Sequence, residues 1–133
     1  MRLSMFVAVA AAGLMAASAA SAQMTHYSAK LAGAAGVKGS GELSAMLEGK
    51  KFSYSVSYKD LTGPVTAAHF HVASAPGGNG PPALPATASP SPIKGSADLS
   101  DQQISDLNAG KWYFNIHTAA NPGGEIRGTV TKQ

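Results

Sequence analysis

The sequence holds 133 residues, is 44% hydrophobic, carries a formal net charge of +3 and contains no cysteine. That composition removes disulfides, thiolate metal ligands and cysteine nucleophiles together. Its 10 lysines and arginines are scattered rather than clustered among aromatics, which argues against a nucleic-acid partner.

The chain opens with Arg2, an apolar run from Met5 to Ala17, and the small-x-small pattern Ala20-Ser21-Ala22. A bilayer span takes about 20 apolar residues, so this shorter run reads as a cleaved signal peptide, residues 1–22. Cleavage after Ala22 leaves a single domain, Gln23–Gln133, expected to be periplasmic or secreted and free of the membrane. About 110 residues can bury a core without disulfides.

Beyond the signal, apolar residues recur at period two, which predicts strands. Tyr27, Ala29 and Leu31 share one face, then Leu43, Ala45 and Leu47, with Glu48-Gly49-Lys50 as a hairpin turn. Phe52, Tyr54, Val56 and Tyr58 alternate with serines in the next strand. Gly63-Pro64 breaks the pattern before a strand over Val65–Ala73. Ser74–Pro92 is rich in Pro, Gly, Ala and Ser, has no charged residue and no histidine, and reads as a long loop. Ile93–Leu99 is a strand, and Ser100-Asp101-Gln102-Gln103 is a capping box opening one short helix that stops at Ala109-Gly110. Trp112–Thr118 and Glu125–Thr131 complete the set. Seven to eight short strands with one helix predict an all-β fold, a β-sandwich or Greek-key barrel.

The chemistry is concentrated in histidine. In Ala67-Ala68-His69-Phe70-His71-Val72, the two histidines project from one strand face, roughly 6.5–7 Å apart along the chain, while Phe70 enters the core. In Trp112-Tyr113-Phe114-Asn115-Ile116-His117, Trp112, Phe114 and Ile116 face inward and His117 is turned outward with Tyr113 and Asn115. His69, His71 and His117 are therefore the candidate metal ligands, with Tyr113 and Asn115 as supporting neighbours. His26, opposite Tyr27 on the first strand, is either a fourth ligand or a solvated residue. Were cleavage to follow Gln23, Met24-Thr25-His26 would set a histidine third from a free amine, a separate route to Cu(II). With nitrogen ligands and an exported location, copper is expected ahead of zinc. Arg127 either draws a small anion towards the open coordination position or is a surface residue paired with Glu125. Nucleotide-binding glycine loops and nucleophile elbows are missing from the sequence.

These pieces resemble the CHRD domain family, named for its occurrence in chordin. The resemblance runs from Thr25 to Val130. It is borne by His26–Gly33, by Leu61-Thr62-Gly63-Pro64 leading to Ala67–His71, by Gly80-Pro81, and by Leu107–Gly110, Tyr113–Thr118 and Asn121–Gly128. Ala35-Gly36-Val37-Lys38 departs from the Glu-Val-Pro-Pro-like stretch usual in the family. The resemblance implies an immunoglobulin-like β-fold but no one activity. A more distant likeness is to copper/zinc superoxide dismutases, which also have an HxH strand, a later copper-binding histidine and an arginine near the C-terminus. His69, His71, His117 and Arg127 fall in that order. The zinc half of such a site would need His and Asp in the loop after the HxH, and Ser74–Pro92 has neither, so one copper is the most expected. Two other readings stand beside the copper-binding one: a non-enzymatic interaction module, and a copper-only redox enzyme of superoxide dismutase type. Intact mass of the exported protein should place its first residue at Gln23; a retained Met1 would refute the export reading.

Overall fold

The computed structural model describes residues 23–133; the signal-peptide reading of residues 1–22 lies outside them. The elements are β1 (Met24–Ala32), β2 (Ser40–Glu48), β3 (Lys51–Lys59), β4 (Val65–Val72), β5 (Pro82–Ala86), β6 (Ile93–Asp98), α1 (Asp101–Asn108), β7 (Trp112–Thr118), β8 (Ile126–Thr129) and β9 (Thr131–Lys132). All strand pairs are antiparallel, in the order β5-β4-β7-β8-β1-β2-β3-β6 with β9 beside β1. The sheet rolls into a nearly closed barrel, the all-β class expected from the alternation. Among the described residues, no helix is long and apolar enough to cross a membrane.

The alternation works as anticipated because one face of each strand fills the barrel. Tyr27, Ala29 and Leu31 of β1, Leu43, Ala45 and Leu47 of β2, and Phe52, Tyr54 and Val56 of β3 are all buried in one cluster. Phe70 of β4 is fully buried at its aromatic centre, with ring centroids 4.7 Å from Phe114, 4.9 Å from Tyr54, 5.4 Å from Phe52 and 5.5 Å from Trp112. Most of these pairs are edge-on, the geometry that ring quadrupoles favour. The helix begins as its capping box dictates: Ser100 Oγ accepts from the Gln103 amide, and Gln103 Oε1 accepts from the Ser100 amide. Leu107 packs inward, and the Tyr27 hydroxyl donates to Asn108 Oδ1.

Two expectations require correction. Ser74–Pro92 is not wholly loop, because Pro82–Ala86 forms β5 against β4. Proline is tolerated there because β5 ends the sheet order, and an edge strand can lack some ladder donors. Pro82 and Pro85 also blunt that edge against further pairing. The last strand, expected over Glu125–Thr131, starts at Ile126 and divides into β8 and β9. Between them Val130 is fully buried, and its amide donates to the Trp112 carbonyl at 2.9 Å. These two changes raise the strand count to nine.

A core built from aromatics should fold without metal. Phe70→Ala should cost about 3–5 kcal/mol, the usual range for a buried phenylalanine. Urea unfolding of metal-free protein followed by far-ultraviolet circular dichroism measures it, and a loss under 1 kcal/mol would refute the central role given to this ring.

Candidate metal centre

The outward faces of β4 and β7 meet in register, with His69 opposite Asn115, His71 opposite Tyr113 and Ala67 opposite His117. His117 is thus two residue pairs along from His69, on the same face. Ring centroids lie 5.6 Å apart for His69–His71, 5.4 Å for His69–His117 and 6.3 Å for His71–His117. One nitrogen from each ring falls within 4.8 Å of the others. Bonds of about 2.0–2.1 Å to a common ion would require side-chain adjustment to draw these nitrogens inside that 4.8 Å limit.

The protein sets which nitrogens are available. His71 Nδ1–H donates to the Gly80 carbonyl at 2.9 Å, and His117 Nδ1–H donates to the Pro122 carbonyl at 2.9 Å. Each bond fixes the tautomer that leaves Nε2 with a free lone pair. His71 Nε2, His117 Nε2 and His69 Nδ1 are buried and have no hydrogen-bond partner among the described residues. Buried polar atoms are nearly always paired, so three unpaired nitrogens on neighbouring rings define a ligand set that could hold a metal ion. Burial, and then the adjacent His117 and His71, push the His69 pKa below its ordinary value, which favours the neutral imidazole that coordination needs.

Tyr113 and Asn115 share this face yet are buried, because two loops fold over them. The Tyr113 ring stacks on His71 at 4.9 Å with 12° between planes, and the Arg127 guanidinium lies over the Tyr113 ring, 4.0 Å from its centroid. The Tyr113 hydroxyl accepts from the Gly80 amide and donates to the Gly80 carbonyl, each at 3.1 Å. Arg127 donates to the Gly78 carbonyl at 2.9 Å and to Asn79 Oδ1. The loop after β4 is therefore clamped onto the site by His71, Tyr113 and Arg127. Gly80 is required there, since a Cβ would overlap the Val72 carbonyl. Asn115 Nδ2 donates to the Gly123 carbonyl at 3.3 Å, and Gly124 (φ 120°) packs so close to this amide that a Cβ would collide with it.

Arg127 is not paired with Glu125, contrary to one expectation. Glu125 is 3% exposed and accepts four hydrogen bonds. These come from the Thr62 amide at 2.9 Å, the Thr62 hydroxyl, the Thr118 hydroxyl at 2.9 Å and Asn121 Nδ2 at 2.9 Å. The carboxylate ties the β3–β4 loop to the β7–β8 loop, whose Pro122 orients His117. Sequence reasoning missed this tie, although Thr62 and Glu125 both stand in the stretches singled out above. His26 is exposed on β1 and is not one of the three clustered histidines.

An antiparallel β-barrel with three histidines gathered on the outer face of two neighbouring strands defines the class of protein. The CHRD domain family matches residues 20–130, and the chain belongs to that family. Among curated proteins and among solved structures, none matches the chain.

Glu125 offers a test of the loop anchoring. Burial opposes its ionisation, but the bonds from Thr62, Thr118 and Asn121 prevail and hold its pKa below the ordinary value. A depressed folded pKa adds stability above the unfolded value of about 4.3, lost as pH falls through the folded one. Glu125→Gln should therefore cost about 1–3 kcal/mol at pH 7, by setting an amide against donors. The difference from the parent should shrink at pH 3. Paired urea melts at both pH values measure this, and an equal deficit at both would refute the ionised role.

Proposed function

We propose that this chain is an exported copper-binding CHRD-domain protein in which His69, His71 and His117 hold a single Cu(II). The observation that supports it is the set of three buried, unpartnered ring nitrogens facing one another. An interaction module would leave those nitrogens desolvated to no purpose. Among divalent ions, an all-imidazole set favours Cu(II) over Zn(II) by the Irving–Williams order, and chain export would remove it from cytosolic thiols that compete for copper. One ion is the capacity of this face, because Ser74–Pro92 adds no histidine or carboxylate.

Three protein nitrogens leave coordination positions for water or a small anion. Arg127 lends positive charge near the site, but two of its nitrogens are engaged by Asn79 and Gly78. Its larger contribution on this reading is to hold Tyr113 against His71. Zinc would fill the same nitrogens less tightly. Redox turnover of superoxide dismutase type would require a substrate at the open position and stands as an extension of this reading.

Calorimetric titration of chelator-treated protein should give one Cu(II) per chain, with nitrogen hyperfine structure in the electron paramagnetic resonance spectrum. Affinity should fall as pH drops below about 6.5, where protons compete for imidazole. His69→Ala, His71→Ala and His117→Ala should each weaken binding by at least about tenfold, the lower range even for losing a supporting partner of a metal ligand. His26→Ala should bind like the parent. If all three single variants bind Cu(II) with parental affinity, the proposal fails.

A further inference from the structure

A second group of metal-binding side chains stands on another part of the barrel. Tyr27, Ala29 and Leu31 commit one face of β1 to the core, so Met24 and His26 project outward, two residues apart. Ala45 and Leu47 do the same for β2, which turns Met46 outward. The register sets His26 directly opposite Met46. Directly paired residues have Cβ atoms about 4.5–5.5 Å apart, and diagonal ones such as Met24 and Met46 about 7–8 Å. Both spacings are within reach of the three-torsion methionine arm.

Exposure distinguishes these methionines from packing residues. Among the described residues, the exposed large hydrophobic side chains are Met24, at 47%, and Met46, at 38%, and both flank His26. His26 is exposed as well. The next partner in the row is Ser53, opposite Met46, which is too small to cover the thioethers. Among the described residues, the barrel thus buries or half-buries its other large apolar side chains and leaves two sulfurs beside one imidazole.

We infer that Met24, His26 and Met46 form a second metal site, selective for Cu(I), on the outer face of β1 and β2. Thioethers are soft donors that favour Cu(I) and hold Zn(II), Mg(II) or Ca(II) poorly, and imidazole supplies the third ligand. The site is separate from the three-histidine centre: β8 lies between β7 and β1 in the sheet order. It goes beyond the proposed Cu(II) function and does not depend on it. Together the two faces would let one chain hold copper in either oxidation state, each at the donor set suited to it.

The test is an anaerobic Cu(I) titration of the purified protein against a chromophoric Cu(I) chelator. Met24→Leu/Met46→Leu keeps side-chain volume and touches no core residue, so it should fold like the parent. It should lose one equivalent of bound Cu(I) while its Cu(II) titration stays unchanged. The variant lacking His69, His71 and His117 should retain one Cu(I), with sulfur scatterers in its copper X-ray absorption spectrum. Parental Cu(I) stoichiometry in the double-leucine variant, or an absorption spectrum with only nitrogen and oxygen neighbours in the triple-alanine variant, would overturn the site. Failure of Cu(II) binding alone would overturn the three-histidine reading and leave this one standing. If the triple-alanine variant does not fold, the double-leucine comparison decides alone.

Discussion

Everything at the proposed centre depends on Phe70 pointing inward. Its ring is fully buried among Phe52, Tyr54, Trp112 and Phe114, and a strand has only two faces. His69 and His71 are forced to the opposite face, side by side. Phe114 and Ile116 do the same for His117 on β7. A slip of one residue in the β4–β7 register would exchange rings and imidazoles between core and surface, a change the core cannot tolerate. The histidines therefore inherit their positions from hydrophobic packing. Rigid strands hold functional side chains more exactly than loops do, which suits a site whose ligands must converge on one point.

Strands set where the imidazoles are, and loops set how they turn. Two backbone carbonyls, from Gly80 and Pro122, select the tautomers of His71 and His117. Neither carbonyl would sit where it does without its own anchors. Gly80 is held from both its amide and its carbonyl by Tyr113, while Arg127 grips the preceding residues. Pro122 belongs to a turn fastened by Asn115 on one side and Glu125 on the other. The stack of guanidinium, phenol ring and imidazole links Arg127 to His71 through Tyr113. An arginine that touches none of the three histidine nitrogens can in this way govern the angle of one of them.

The parts legible in the sequence were those governed by local periodicity. Alternation identifies seven strands, the serine-glutamine capping box identifies α1, and the HxH spacing alone puts two imidazoles on one face. Other features depend on partners distant in sequence. Pro82–Ala86 has no strand-like alternation of its own and becomes β5 only because β4 offers a free edge. Glu125 looks like a surface carboxylate beside Arg127 until Thr62 is brought across to it from the β3–β4 loop. Gly80 and Gly124 are ordinary loop glycines in the sequence; the Val72 carbonyl and the Asn115 amide that exclude a Cβ are a matter of tertiary approach.

One ring nitrogen from each of His69, His71 and His117 is buried without a hydrogen-bond partner among the described residues. A buried donor or acceptor left unpaired costs on the order of 1–3 kcal/mol, and three such nitrogens lie together here. Burial, and then the neighbouring His117 and His71, drive the His69 pKa down, so protonation does not relieve that ring. The aromatic core tolerates this local cost, since native folds need only a modest net stability. On the metal-binding reading, an ion that satisfied all three lone pairs at once would return that cost. Coordination should then stabilise the fold by linkage, with the gain growing as free metal exceeds its dissociation constant. On that same reading, the geometry that leaves these nitrogens unpaired would also favour coordination, since ligands already convergent and desolvated have little left to lose on binding.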